Sequence, residues 1–246
     1  MPTLLHKDIG LVKGVSFDSS RRVGTAMQAV KVYNMREVDE LVFLDITATN
    51  DGRQPDYELI DDIADECFMP LTVGGGVRSI DDVGRLLMVG ADKVSINTAV
   101  NEVPKLVAES AAHYGSQCIV VSIDVRREAD GSYQVYTHSG TVATGRDPVN
   151  VARDAQAAGA GEVLLTSIDR DGTMDGYDIN LVRLVSGAVS IPVIASGGAG
   201  NYLHLADALG EGGASAVAAA SVFHFTEQTP AGAKVFLAEC GYPVRR

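Results

Sequence analysis

The sequence predicts an α/β protein: one (β/α)8 TIM barrel over residues 1–246, assembled from two similar halves. Three observations predict it. The first is an internal repeat at about 122 residues, the offset between Met69 and Ile191. Met69-Pro70-Leu71-Thr72-Val73-Gly74-Gly75-Gly76 aligns with Ile191-Pro192-Val193-Ile194-Ala195-Ser196-Gly197-Gly198, and Asp39–Leu44 with Gly161–Thr166. One residue further out of step, Gly90–Thr98 falls on Gly213–Ser221. The second is a series of short apolar runs alternating with helical patterns. The third is length: 246 residues with 46% apolar residues fit one barrel or two small domains, and eight strand–helix units in that length favour the barrel. An open doubly wound sheet has no reason to repeat itself halfway.

The strand candidates are Leu11–Val15, Leu41–Ile46, Leu71–Val73, Lys93–Ile96, Cys118–Ile123, Glu162–Ser167, Pro192–Ala195 and Ala214–Ala219. Each is apolar on both faces, as a buried parallel sheet requires. Tyr57–Cys67 carries Leu59, Ile60, Ile63 and Ala64 on one helical face. Ser79 is a cap for a helix running to about Met88, with Asp81 and Asp82 in its first turn. Asp147-Pro148 opens another helix, and Asp178 the next. Arg126–Gly145 reads as a hairpin inserted after the fifth strand, turning at Asp130-Gly131. Asn50–Gln54 is a polar loop. No linker or domain boundary interrupts the chain.

The formal charge of −12 and the absence of a basic stripe argue against nucleic acid. Phosphorylated small molecules remain open, because helix N-termini and backbone N–H groups attract anions locally. Cys67, Cys118 and Cys240 are odd in number and scattered, and His6, His113, His138, His204 and His224 lack metal-ligand spacing. No disulfide, metal or cofactor is expected. Without a signal peptide or a membrane-length apolar run, a cytoplasmic protein without a membrane partner is expected.

Active sites of such barrels lie at the C-terminal ends of the strands. Gly74-Gly75-Gly76 and Ser196-Gly197-Gly198 fall there, and Gly-rich turns let N–H groups approach phosphate oxygens. Tight turns need glycine anyway, so either loop alone says little. As repeat-related loops, followed by Asn97-Thr98 and Ala220-Ser221, they predict two phosphate sites across the barrel mouth. Asp124 ends the fifth strand. It is either a cap or loop carboxylate, or a general acid/base whose pKa the apolar interior raises. Asp45 and Asp169 are comparable strand-end carboxylates, and Asp169 has Arg170 or nearby backbone as alternative partners. Glu40, Lys93 and Glu162 sit at strand starts on the opposite face, as a salt-bridged plug or as a gate.

Asp39–Ala48, Gly74–Gly76, Ala91–Thr98, Gly115–Gln117, Leu164–Gly172, Ile194–Gly200 and Ala219–His224 together resemble the cyclase subunit of imidazole glycerol phosphate synthase, over about Leu11 to Phe225. The resemblance implies a half-symmetric barrel with a glutaminase subunit docked on its bottom. Ammonia would pass through the barrel to a bisphosphorylated aminoimidazole-carboxamide ribonucleotide adduct, giving imidazole glycerol phosphate and a purine precursor in a lyase reaction of histidine biosynthesis. One phosphate would bind near Gly76, Asn97 and Thr98. The other would bind near Asp171, Gly172, Gly198, Ala220 and Ser221. Asp124 matches one of two catalytic aspartates. Glu40, Lys93 and Glu162 match three of four charged residues around the ammonia entrance. The fourth, an arginine, would fall before Met1. Asp92 and Gln117 match positions near the glutaminase face.

One departure bears on chemistry. In the family the first strand ends in the second catalytic aspartate; here that strand, Pro2–His6, is short and Leu5 takes the aspartate's place. Losing a general acid/base removes about 10²–10⁴-fold in rate. With Leu4–Asp8 and Glu66–Pro70, this departure resembles a paralogous branch linked to surface-polysaccharide pathways. There the barrel would serve as an ammonia conduit for a separate sugar amidotransferase.

Overall fold

A computed structural model describes residues 1–8 and 10–245. The chain begins with β1 (Thr3–Lys7), β2 (Gly10–Val15) and β3 (Asp18–Gly24), followed by α1 (Ala26–Met35) and β4 (Leu41–Asp45). Next come α2 (Tyr57–Glu66), β5 (Leu71–Gly74), α3 (Ile80–Met88), β6 (Lys93–Ile96), α4 (Ala99–Glu102) and α5 (Leu106–Tyr114). β7 (Ile119–Arg127), β8 (Tyr133–Thr137), β9 (Val142–Ala143) and α6 (Pro148–Ala157) lead into the second half. It continues with β10 (Glu162–Ser167), α7 (Ile179–Ser186), β11 (Val193–Ser196), α8 (Tyr202–Gly210), β12 (Ala216–Val217), α9 (Ser221–Phe225) and α10 (Pro230–Glu239).

Eight strands pair in parallel in the order β12-β11-β10-β7-β6-β5-β4-β1. Thr3 N–H donates to Ala219 O and Ala219 N–H to Met1 O, which joins β1 back to the end of β12. The sheet is therefore closed, as the repeat predicted.

The strand prediction needs one correction. Leu11–Val15 is a strand, but not of the barrel. As part of β2 it pairs antiparallel with β1 and β3, so β1–β3 form a meander rising from the barrel mouth. Its pattern misleads because Leu11 and Lys13 are both buried, so the run looks core-facing. The barrel's first strand is β1. The predicted hairpin after the fifth strand is present, with β8 antiparallel to β7 and Asp130-Gly131 in the turn.

Local chemistry sets the helix starts. Ser79 accepts from Asp82 N–H while Asp82 reaches back to Ser79 N–H, a capping box with aspartate in the third position. Asp56, Asp147, Asp178, Asn201 and Thr229 cap α2, α6, α7, α8 and α10 by the same side-chain-to-N–H bond. α2 buries Ile60 and Ile63, as its apolar face predicted, and ends at Glu66 because Cys67 turns extended.

Two apolar clusters result. The larger lies between the sheet and the helices, with Phe43, Ile63, Leu86 and Ile119 fully covered. Burial of each such side chain contributes about 1.5–3 kcal/mol. The smaller fills the barrel itself: Val42, Val120, Leu164, Ile194 and Ala218, with Leu44 and Ala216 against them. No helix is long and apolar enough to cross a membrane.

Candidate functional site

The C-terminal strand ends surround a cavity of about 1140 Å³, counted out to its open mouth. Asp124, Asn97, Thr98, Asp171, Gly172, Gly198, Ala220 and Ser221 all line it, as does Leu5. Gly76 does not; its neighbour Gly75 does.

Asp124 is buried near the end of β7. Asn97 Nδ2 donates to its Oδ2 at 2.9 Å, and the Thr166 hydroxyl also bonds it. Burial pushes its pKa up to about 7; the Asn97 bond opposes the rise and the nearby Asp171 charge adds to it. An acid poised there exists in both protonation states near neutrality, which suits a general acid/base. Leu5, half-buried on β1, lines the same cavity with a side chain that carries no proton.

Lys13 is a site residue that sequence reasoning missed. It is 3% exposed, and its Nζ lies 2.7 Å from Asp171 Oδ1. Ser16 N–H donates to Asp171 O at 2.7 Å. An added Cβ on Gly172 would lie 1.9 Å from Gly14 O, so only glycine, at φ +75°, permits this approach. The β2–β3 hairpin is thus latched onto the loop after β10. The available signal was a lysine inside the apolar run Leu11–Val15.

The two expected phosphate sites are not equivalent. In the first half several of the expected groups already have partners. Gly76 N–H points to Thr49 Oγ1 at 3.3 Å, Asn97 Nδ2 donates to Asp124 and to Ser122 O, and Thr98 Oγ1 accepts from His138 N–H. In the second half, Ser221 Oγ is buried without a partner, and the N–H groups of Gly172 and Gly198 donate to no described residue. α9 is a short helix beginning at Ser221, and Phe223 and His224 N–H donate to Ala220 O. Glycine is also demanded by packing. Cβ atoms at Gly75 and Gly198 would lie 2.2 Å from Asp45 O and Gly176 O.

The other carboxylates have structural partners. Asp45 accepts from Thr47 and Ala48 N–H and pairs with Arg53 at 3.2 Å. Asp169 accepts from Arg127 N–H, which decides between its alternatives in favour of backbone. At the opposite barrel end, Lys93 Nζ bridges Glu40 Oε2 at 2.9 Å and Glu162 Oε1 at 2.7 Å. Burial pulls the Lys93 pKa down, but the bonds to Glu162 and Glu40 outweigh it and hold the ammonium above its ordinary value. Asp92 accepts from Leu71 N–H, and Gln117 Nε2 donates to Tyr114 O.

The histidines are dispersed. His6 stacks on Phe43, His204 accepts from Gly200 N–H, and burial lowers the pKa of His224. Among the described residues no group of three or more His, Cys, Asp or Glu is placed to hold a metal ion. In comparison with known families, residues 4–229 match the family described as histidine biosynthesis protein.

Proposed function

The chain belongs to the histidine biosynthesis protein family, and on that premise we propose that it is the barrel subunit of an imidazole glycerol phosphate synthase-type glutamine amidotransferase. It binds a bisphosphorylated, ribonucleotide-like ligand at the barrel mouth and receives ammonia from a glutaminase subunit docked on the barrel bottom. The observation that carries the reading is the stacking of three layers along one axis. The Glu40–Lys93–Glu162 cluster lies at the bottom, an uncharged apolar plug above it, and a cavity holding Asp124 at the top. A bridged lysine is a movable charge at an entrance. The apolar interior suits neutral ammonia over ammonium, because a buried charge is costly. Asp124 is the proton-transfer group.

The reading is tested by mixing the purified chain with a glutaminase subunit. Co-elution and a rise in glutamine hydrolysis are expected; separate elution with unchanged hydrolysis would sink it.

Leu5 favours a second reading of the same scaffold. With one carboxylate of the proton-transfer pair replaced, the barrel acts as an ammonia conduit for a sugar amidotransferase in surface-polysaccharide biosynthesis, with little cyclase activity. Complementation of a histidine auxotroph lacking its cyclase separates the two. Growth supports a working cyclase, and no growth with soluble protein present supports the conduit.

A further inference from the structure

We infer that Phe68, held out from the barrel by Asn34, is the anchor by which this chain selects its glutaminase partner, seating in an apolar socket rimmed by basic side chains. The inference rests on the amidotransferase reading and names the contact that decides which glutaminase fits.

Phe68 lies just beyond α2 and is 84% exposed, yet the turn that carries it is fixed. Phe68 N–H donates to Asn34 Oδ1 at 3.1 Å, and Asn34 Nδ2 donates to Glu66 O. One side chain thus clamps the backbone on both sides of Cys67, whose thiol donates to Met69 O at 3.3 Å. The turn buries Met69 and presents Phe68 to water. A large aromatic presented rigidly loses little freedom on docking, which is how anchors gain affinity.

The surroundings extend this apolar surface. Met35 ends α1 and Met88 ends α3, both strongly exposed. With Phe68 they occupy three successive helix-to-strand connections, those leading to β4, β5 and β6. Glu40 precedes β4 and Lys93 opens β6, so these connections lie at the barrel end that carries the Glu40–Lys93–Glu162 cluster. Methionine adapts its shape to a facing surface. Beside Phe68 a groove of about 740 Å³, counted out to its open mouth, has Tyr33, Val38 and Met69 in its wall.

Charge points to one occupant. Asp65 and Asp92 are exposed near the anchor and join no ion pair among the described residues. In the groove, Glu37 and Arg245 are of opposite sign, and Lys234 is paired with Asp39 at 2.8 Å. The complement of this surface is an apolar socket with lysine or arginine at its rim. A second copy of the chain, at a formal charge of −12, would set like charge against like. Asp92 adjoins Lys93 in sequence, so a partner seated over Phe68 and Asp92 also covers the charged entrance. That is where a glutaminase must sit to hand over ammonia, and apolar contact around the entrance keeps bulk water from it.

The test is binding of the full chain to a purified glutaminase subunit from the same organism, read by calorimetry and by glutamine hydrolysis. Phe68→Ala should weaken binding at least about thirtyfold, the size of an interface anchor, and Phe68→Asp should abolish co-elution. Phe68→Tyr should stay within about threefold of the unaltered chain. Asn34→Ala keeps the ring but frees its turn, and should weaken binding about five- to tenfold. Phe68→Asp should leave the unfolding midpoint unchanged, because the side chain is exposed. Leu203→Asp, at an exposed position on α8, should leave binding unchanged. Weakening of less than about threefold by Phe68→Ala and Phe68→Asp, with the unaltered chain bound, would overturn the anchor and leave the amidotransferase reading standing. No binding of the glutaminase by the unaltered chain would overturn both. Self-association that Phe68→Asp breaks, with glutaminase binding unchanged, would give the surface to a second copy and overturn the inference.

Discussion

Lys13 Nζ lies 2.7 Å from Asp171 Oδ1 within the barrel mouth, and the two residues are 158 positions apart in sequence. The pair joins the hairpin after β1 to the loop after β10, so it couples the two halves at the cavity. Lys13 is almost fully buried and Asp171 nearly so. Removing one partner leaves the other as an uncompensated buried charge, which costs roughly 3–5 kcal/mol. Asp171→Ala should therefore destabilise by about that amount in urea unfolding. Lys13→Met combined with Asp171→Leu should cost clearly less than the sum of the single changes. Additive losses would show that the pair is not coupled.

Asp124 should make stability fall as pH rises. Its pKa is about 7 in the folded chain, against an ordinary aspartate value of about 3.8. Between these values the folded state holds a proton that the unfolded state has lost. Folding is thus favoured at the acid end, and that contribution is lost as pH climbs through about 7. Asp124→Asn removes this pH dependence. The variant should gain on wild type by a few kcal/mol between about pH 4 and 7, because each pH unit in that window is worth about 1.4 kcal/mol. Unfolding curves across that range check it, and parallel pH profiles for the two proteins would contradict it.

Gly172→Ala should release the hairpin. Its Cβ would meet Gly14 O at 1.9 Å, and the backbone is already at φ +75°. The side chain has nowhere to go unless β2–β3 lifts. Limited proteolysis should then cut between residues 10 and 24 at least tenfold faster, with the barrel remaining folded. An unchanged cleavage rate would show that the hairpin is held elsewhere.

Leu5→Asp should restore the missing half of the proton-transfer pair, if proton transfer is all that the site lacks. The expected gain in ammonium-driven turnover of the family's ribonucleotide substrate is about 10²–10⁴-fold. The cost is a further carboxylate on a wall that already carries Asp124 and Asp171, so lower stability at alkaline pH should accompany it. Loss of stability without any turnover would favour the conduit.

Much of the architecture was legible because it rests on short-range patterns. The caps at Ser79, Asp147 and Asp178 act within three residues, and the structure has the bond at each. The glycine loops recur because the same backbone approaches occur in both halves: Gly75 against Asp45 O, Gly197 against Ser167 O. Leu11–Val15 was misassigned because apolar content reports burial, not the partner strand; burial of Lys13 comes from Asp171, far along the chain.

By itself, the sequence determined the closed parallel barrel, Asp124 at the end of its fifth strand, and the glycine positions that repeat between halves. Periodicity, capping and turn chemistry are local, so they are written in adjacent residues. Only the tertiary structure decided which groups remain free to act. It turned Gly76 N–H to Thr49, engaged Asn97 with Asp124, and left Ser221 Oγ without a partner. It also raised Asp124 to about 7 by burial and placed Lys13 beside Asp171. Hydrogen-bond satisfaction and desolvation depend on neighbours brought together by closure of the barrel. Two loops alike in sequence can therefore differ in which of their polar groups remain unpaired.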